Sequence, residues 1–165
     1  MGHVVPTILF NLQLHQGTYK FYIEAALVAV LFYVAVTDFR IFKIPNNVIL
    51  LLLILYVLFA IVARTTSDIV LSCILSTITF AVLLWFYSKG VVGAGDVKFV
   101  TVACLWVGLH CAVVFSLVLL ILIGLHVLAA WMGWVATKPM AGRLAIPYAP
   151  SVAGALIAMT LLGCL

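Results

Sequence analysis

The chain is too apolar to be a water-soluble domain. Of its 165 residues, 68% are hydrophobic and only 7% are charged, whereas a soluble domain is about half apolar and about a quarter charged. A chain this short cannot hide such an excess in a larger core, so the composition predicts an integral membrane protein. The net charge of +4 comes from basic residues scattered along the chain, which excludes a polybasic segment for binding nucleic acid.

Polar residues divide the chain into apolar segments with the lengths of membrane helices. The first, residues 21–37, would rise about 26 Å as a helix, close to the roughly 30 Å of a hydrocarbon core. Residues 97–135 are too long for one span, and residues 108–110 are the best place to divide them. The segments predict helices over residues 21–37, 48–63, 69–87, 96–107, 111–135 and 150–162.

These segments predict an all-α, polytopic membrane protein, folded as a compact bundle of about six transmembrane helices. Ser67 or Asp68 is expected to cap the third helix, and Pro150 suits the first turn of the sixth. Residues 1–20 show no cleavage site typical of a signal peptide. We expect them to form an N-terminal extension on the outer surface, ahead of a membrane domain of residues 21–165.

Basic residues concentrate in the loops on one side of the predicted bundle. Six lie in or beside the odd-numbered loops and two lie on the other side, an asymmetry that places the odd-numbered loops in the cytoplasm. The sequence therefore predicts a multi-pass protein of the cell inner (cytoplasmic) membrane with both termini outside. The six are Arg40, Lys43, Lys89, Lys98, Lys138 and Arg143, and the two are Lys20 and Arg64.

The chain has only four acidic residues, and two of them fall at helix ends on the predicted cytoplasmic face. Asp38 ends the first helix and Asp96 begins the fourth, whereas Glu24 and Asp68 occupy ordinary interfacial positions. Two close carboxylates cannot both ionise, so they share a proton. The ionised one can take a proton from water, and the protonated one can donate to a scissile carbonyl. The pattern therefore indicates an aspartic protease.

The residues around Asp96 fit a peptide-binding site. Gly93 and Gly95 are expected to allow a backbone turn forbidden to other residues and to let a peptide approach closely. Asp96 begins a helix, where an anion is favoured, and Lys98 is close to it in sequence, whereas Asp38 ends a helix, where an anion is disfavoured. We therefore expect Asp96 to be the ionised base and Asp38 to be its protonated partner.

Two segments carry a resemblance to a known family. TDFRIFKIPNN (residues 37–47) and GAGDVKFV (residues 93–100) resemble the signature segments of the type IV prepilin peptidases, which are GxGD-type intramembrane aspartic peptidases. AIPYAPSVAGA (residues 145–155) is similar to the proline-containing start of that family's last helix. The short chain resembles the peptidases that serve tight-adherence (Flp) pili.

The resemblance implies that Asp38 and Asp96 are the catalytic pair. It further implies that the chain cleaves the leader of prepilins at the cytoplasmic membrane face. Such substrates carry a short basic leader ahead of an apolar helix that stays in membrane lipid. The larger, bifunctional members of the family also methylate the new N-terminus and often carry two CxxC pairs. No CxxC pair occurs here, so we expect a peptidase without methyltransferase activity.

Four further residues are candidates for positioning the dyad or the substrate. Pro45 and Asn46 are expected to end the first loop and to cap the second helix, with a role in positioning Asp38 or the substrate as the alternative. Pro147 and Tyr148 are candidates for lining the site. Lys98 and the other basic residues of this face are expected to anchor the topology, with contact to an acidic substrate residue or to lipid head groups as the alternative.

The remaining polar side chains are expected to be structural. The four cysteines (Cys73, Cys104, Cys111 and Cys164) lie in apolar segments and predict inert thiols. His126, within the fifth helix, is expected to be a neutral, hydrogen-bonded residue of the bundle rather than a site residue. No metal-ligand cluster and no cofactor motif is present, so neither is expected. The sequence leaves the oligomeric state open.

Two other classes of protein compete with the peptidase. A small proton-coupled transporter could use the same two aspartates as coupling groups, but transporters place such groups near the membrane midplane between repeated halves. A non-catalytic subunit of a secretion machine would leave the shared depth of the aspartates unexplained. Exchange of either aspartate for glutamate separates these classes, because the geometry of a protease tolerates little change.

Overall fold

The computed structural model describes the backbone of residues 4–134, 138–140, 143–145 and 147–165, and the side chains of residues 17–134 and 147–165. This part of the chain contains six α-helices, which confirms the predicted all-α class. They are α1 (Val4–Ile41), α2 (Asn46–Ala63), α3 (Thr66–Ser88), α4 (Ala94–Val107), α5 (Ala112–Trp131) and α6 (Ala149–Leu161).

Four of the helices are long and apolar enough to cross a membrane. They are Gly17–Ile41 of α1 together with α2, α3 and α5. Many of their large apolar side chains are exposed, as expected for surfaces that face lipid rather than water. α4 and α6 have only 14 and 13 residues, so each rises about 20 Å, less than a hydrocarbon core of about 30 Å. The chain is therefore a membrane-spanning protein in which two helices are short.

The short helix α4 lies at the centre of the bundle. It packs against α2, α3, α5 and α6, while α1 packs against α2 and α6. The Trp106 side chain, near the end of α4, is fully buried and donates its indole N–H to the carbonyl of Leu52 at 3.2 Å. Its ring contacts those of Phe59 and Tyr56. Burial of so large a side chain contributes about 2–3 kcal/mol, and the hydrogen bond satisfies its only polar atom.

Hydrogen bonds hold the end of α4 at the same level as the end of α2. The guanidinium of Arg64 donates to the Trp106 carbonyl and to Ser72 Oγ, the latter at 3.0 Å. Gly108, which follows the helix, has φ +68°, and a Cβ there would lie 2.6 Å from Arg64 Nη1. Only glycine fits both this backbone conformation and this contact.

The same end of α4 lies beside the start of α3. His110 Nε2 is 3.4 Å from Asp68 Oδ1. Thr65 is the N-cap of α3 and forms a capping box with Asp68. The expectation that Ser67 or Asp68 would cap this helix was therefore wrong. Asp68 takes the third helical position, from which its carboxylate reaches back to the backbone N–H of Thr65, as in other capping boxes.

Several element boundaries differ from the sequence-based ones. α1 begins at Val4, so the backbone of residues 4–20 continues the first helix. Whether residues 1–20 form a separate extension on the outer surface stays a prediction. α5 ends at Trp131 rather than at residue 135. A short antiparallel hairpin, β1 (Lys138–Met140) and β2 (Arg143–Ala145), occupies part of the segment expected to be a loop.

Two of the four cysteines are bonded to each other. Cys111 and Cys164 form a disulfide with their Cα atoms 6.1 Å apart, within the usual range for such bonds. The expectation of four inert thiols was therefore wrong for this pair. The two residues are 53 positions apart, and spacing alone does not reveal a pairing of that length. The bond joins the start of α5 to the segment that follows α6.

Candidate active site

Asp38 is held in the last turn of α1. Its side chain is only 5% exposed, and its backbone carbonyl accepts a hydrogen bond from the N–H of Phe42 at 2.9 Å. Phe42 has φ +56°, a left-handed conformation that is uncommon for a bulky residue. Such local strain is typical of functional sites, where the surrounding structure holds it in place. The chain leaves the helix here and reaches α2 at Asn46.

The side chain of Asp38 accepts a hydrogen bond from a distant part of the chain. Its Oδ2 lies 3.1 Å from the backbone N of Ala149, the first residue of α6. Backbone N–H groups at a helix N-terminus point outward and carry partial positive charge, so they favour an anion placed there. Asp38 thus lies at the end of α1 and beside the beginning of α6. The sequence predicts its place at the end of α1 but not its contact with α6.

Asp96 lies in the first turn of α4, directly after the glycine pair. Gly93 is the N-cap of this helix with φ −74°, a conformation open to any residue, so the expected turn forbidden to other residues is not found at Gly93. A Cβ at Gly93 would instead lie 3.0 Å from Asp96 Oδ2. Glycine therefore provides the room that the carboxyl occupies. The left-handed residue of this loop is Gly90, with φ +69°.

Gly95 has a different role from Gly93. A Cβ at Gly95 would meet the side chain of Ile44 at 3.7 Å, which is ordinary van der Waals contact. The first turn of α4 therefore packs directly against the loop between α1 and α2. This contact brings the segment that carries Asp96 against the loop that follows Asp38.

The two carboxyls act on each other electrostatically. Asp96 lies outside the four candidate spans. Burial, together with the negative charge of Asp38, raises the pKa of Asp96 from 3.8 to about 6, and the backbone of Gly93 opposes the shift. A raised pKa favours the protonated form of Asp96, which runs against the expectation that this carboxyl is the ionised base. At Asp96, burial and the charge of Asp38 outweigh the dipole of α4, which favours an anion at the helix N-terminus.

The supporting residues expected from the sequence lie around this pair. Lys98 Nζ donates to Asn46 Oδ1 at 3.0 Å, so an exposed hydrogen bond ties α4 to the start of α2. Pro45 is the N-cap residue of α2 and makes no side-chain capping bond. Pro147 is buried, and Tyr148 is the N-cap residue of α6. Both come just before Ala149, whose backbone N–H binds Asp38.

The sequence-based reasoning missed the residue that donates a hydrogen bond to Asp38. Ala149 acts through its backbone, which leaves no signal in the residue type.

Among the described side chains, no group of three His, Cys, Asp or Glu residues could hold a metal ion. The interacting titratable groups that the structure places at this site are the carboxyls of Asp38 and Asp96.

The fold and the site together define a class: a helical membrane protein with a pair of interacting carboxyls at one end of its bundle. Residues 25–130 match the profile of the type IV leader peptidase family, and this range contains both aspartates and more than half of the chain. The protein belongs to that family and is a peptidase. The comparisons with curated proteins and with solved structures each returned no match.

Proposed function

We propose that the protein is an aspartic endopeptidase that removes the leader peptide of type IV, Flp-like prepilins at the cytoplasmic face of the inner membrane. The observation that carries the proposal is the electrostatic pairing of Asp38 with Asp96 inside the segment that matches the leader peptidase family. Asp38 accepts a hydrogen bond from the N-terminus of α6. This bond makes the surroundings of the two carboxyls different, as an acid–base pair requires. Leader removal without methylation is the proposed reaction.

The asymmetry supports a different role for each carboxyl. Asp38, held by the Ala149 N–H, is the ionised base and takes a proton from water as the water oxygen attacks the scissile carbonyl carbon. Asp96 gives its proton to the carbonyl oxygen, so the intermediate forms without net charge on that oxygen. Asp38 then passes its proton to the leaving nitrogen as the C–N bond breaks. The intermediate returns a hydroxyl proton to Asp96, which restores the starting state.

Two independent features support an orientation with the dyad in the cytoplasm. The first is the excess of basic residues in the loops on the dyad side. The second is the Cys111–Cys164 disulfide, which lies beyond the opposite ends of α4 and α6. Disulfides persist in oxidising compartments such as the bacterial periplasm and are rare in the cytosol. Both features support a cytoplasmic location for the dyad.

The orientation predicts the redox state of this cysteine pair in cells. When free thiols are alkylated before lysis, Cys111 and Cys164 should remain unmodified until a reductant is added, because their disulfide faces the oxidising side. Mass spectrometry of the purified chain measures this directly. Cys73 and Cys104, which are free, provide the internal comparison. A pair that is already alkylated without reductant would contradict the orientation.

The function is tested by co-expression of the protein with candidate prepilins from the same genome. Each prepilin is scored by mass for loss of its leader, and the mass also shows whether a methyl group has been added. Removal of the leader without methylation supports the proposal. If no prepilin loses its leader while the peptidase is present and folded, the proposed function fails.

The pKa of Asp96 predicts the pH dependence of cleavage. Because Asp96 must hold its proton to act as the acid, kcat/KM should fall by about tenfold per pH unit as the pH rises above about 6. The midpoint belongs to the coupled pair and is measured with purified protein and one prepilin across a pH series. Asp68→Asn, at the other end of the bundle, should leave the profile unchanged. A profile that stays flat above pH 6 would contradict the assignment of Asp96 as the acid.

A further inference from the structure

His126 on α5 contacts both segments that hold Asp38. Its ring stacks on Phe39, the neighbour of Asp38 in α1, with centroids 5.7 Å apart and planes 17° apart. Its Nδ1 lies 3.2 Å from Ser151 Oγ, in the first turn of α6. That turn also provides the Ala149 N–H to Asp38. One imidazole therefore joins the end of α1 to the start of α6.

The hydrogen bonds around Ser151 favour one direction for this contact. Ser151 is 5% exposed, and its Oγ also lies 3.5 Å from the carbonyl oxygen of Leu122, which can only accept. Because the hydroxyl has a single proton, donation to Leu122 leaves its oxygen to accept from Nδ1–H of His126. This neutral tautomer satisfies both partners. Nε2 is then an acceptor, and it is buried without a hydrogen-bond partner among the described residues.

The contact is more specific than helix packing requires. α5 is largely exposed to the surroundings of the bundle and packs mainly against α6. A leucine would fill the same place at lower cost, because a buried polar atom without a partner is unfavourable. His126 has this unpartnered atom, yet it makes one directed hydrogen bond and one ring stack beside Asp38. Such contacts fit a role in orienting Asp38.

We propose that His126 is a positioning residue for Asp38. It fixes the end of α1 relative to the first turn of α6, so that the Ala149 N–H stays directed at Asp38 Oδ2 and the charge stays on that carboxyl. Its effect on cleavage rests on the proposed function, whereas its effect on the environment of Asp38 does not. His126 acts through Ser151 and Phe39 and does not touch the reacting atoms.

Three variants separate the hydrogen bond from the ring stack. His126→Phe keeps a ring against Phe39 and removes the bond to Ser151. His126→Asn places an amide near the position of Nδ1, so it can restore that bond. Ser151→Ala removes the bond from the other side. Ser116→Ala is the matched control, since Ser116 is an exposed serine of α5 whose hydroxyl donates to the carbonyl of Ala112 in its own helix.

The kinetic test uses a prepilin that the parent protein cleaves. His126→Phe and Ser151→Ala should each lower kcat by about tenfold with KM changed less than about twofold, since displacement of a catalytic group by a fraction of an ångström has effects of this size. The double variant should be no worse than either single one, because both remove the same contact. His126→Asn should return kcat to within about threefold of the parent. An unchanged kcat in His126→Phe would overturn the proposal.

An infrared measurement tests the same proposal without a substrate. The chain has three aspartates, Asp38, Asp68 and Asp96, so isotope labelling of aspartate shifts the bands of three carboxyls. The band that is lost in Asp38→Asn belongs to Asp38. The Asp38 band should shift in His126→Phe and in Ser151→Ala, and it should stay in place in Ser116→Ala. An intact Cys111–Cys164 disulfide shows that each variant is folded.

The two measurements separate failure of this inference from failure of the proposed function. If the parent cleaves no prepilin but the Asp38 band shifts, the proposed function fails and the positioning role stands. If the parent cleaves a prepilin and the Asp38 band stays in place in both variants, the positioning role is overturned and the peptidase stands.

Discussion

Replacement of either Asp38 or Asp96 by asparagine should reduce prepilin cleavage by about a thousandfold or more. Asparagine has nearly the same shape as aspartate but can neither take a proton from water nor give one to the scissile carbonyl. Since each carboxyl has a separate role in the proposed mechanism, neither can replace the other, and the double variant should be no worse than the single ones. The measurement is the mass of a co-expressed prepilin, followed by kcat/KM with purified protein.

Two comparisons make this result specific. Asp68→Asn changes the same residue type at the opposite end of the bundle and should keep the activity of the parent. Asp38→Glu and Asp96→Glu keep the charge but move the carboxyl by one methylene, and they should also abolish cleavage, because the geometry of the pair tolerates little displacement. A proton-coupled transporter would keep partial function with glutamate. Cleavage that survives both asparagine variants would refute the dyad.

Gly93→Ala should lower kcat/KM by about a hundredfold, the second largest effect that we expect. A Cβ at this position would lie 3.0 Å from Asp96 Oδ2, too close for an ordinary contact, so the carboxyl must move away from its place. A displacement of this kind costs up to about two orders of magnitude when the displaced group is catalytic. The backbone itself should be undisturbed, because φ at Gly93 is −74°.

Gly95→Ala is the matched control, two residues further along. Its Cβ would meet Ile44 at 3.7 Å, an ordinary contact, and alanine favours the helix by about 1 kcal/mol relative to glycine. We expect kcat/KM within about threefold of the parent and an equal or higher thermal midpoint in detergent. Equal losses in the two variants would show that the glycine pair is required for backbone freedom rather than for the room beside Asp96.

The features that depend on local sequence could be predicted, and those that depend on long-range contacts could not. The helices follow from apolar segment length, and the positions of Asp38 and Asp96 at helix ends follow from the boundaries of those segments. The bond from Ala149 to Asp38 spans 111 positions, and its donor is a backbone group that any residue other than proline carries. Nothing in the residue type at position 149 could have revealed it.

The same distinction explains why local sequence gives the wrong direction for the pKa of Asp96. Asp96 begins a helix and has a lysine two positions later, so local reasoning favours its anion. In the folded chain, Lys98 donates to Asn46, and burial with the charge of Asp38 raises the pKa of Asp96. Both outcomes depend on which elements pack together. A sequence pattern can place a titratable group on a helix, but the neighbours from other helices decide its protonation.

The short length of α4 determines how far a substrate must reach. The end of α4 lies level with the start of α3, where His110 meets Asp68. From that shared level α3 continues for 23 residues, whereas Asp96, the third of the 14 residues of α4, lies much nearer. Asp96 is therefore about 16 Å below the far end of α3 at 1.5 Å per residue. An extended chain covers about 3.3 Å per residue. If the proposed function holds, a peptide reaching the dyad from that end must unwind about five residues beside the cut bond, and a leader that stays helical up to its junction would be held short of the carboxyls.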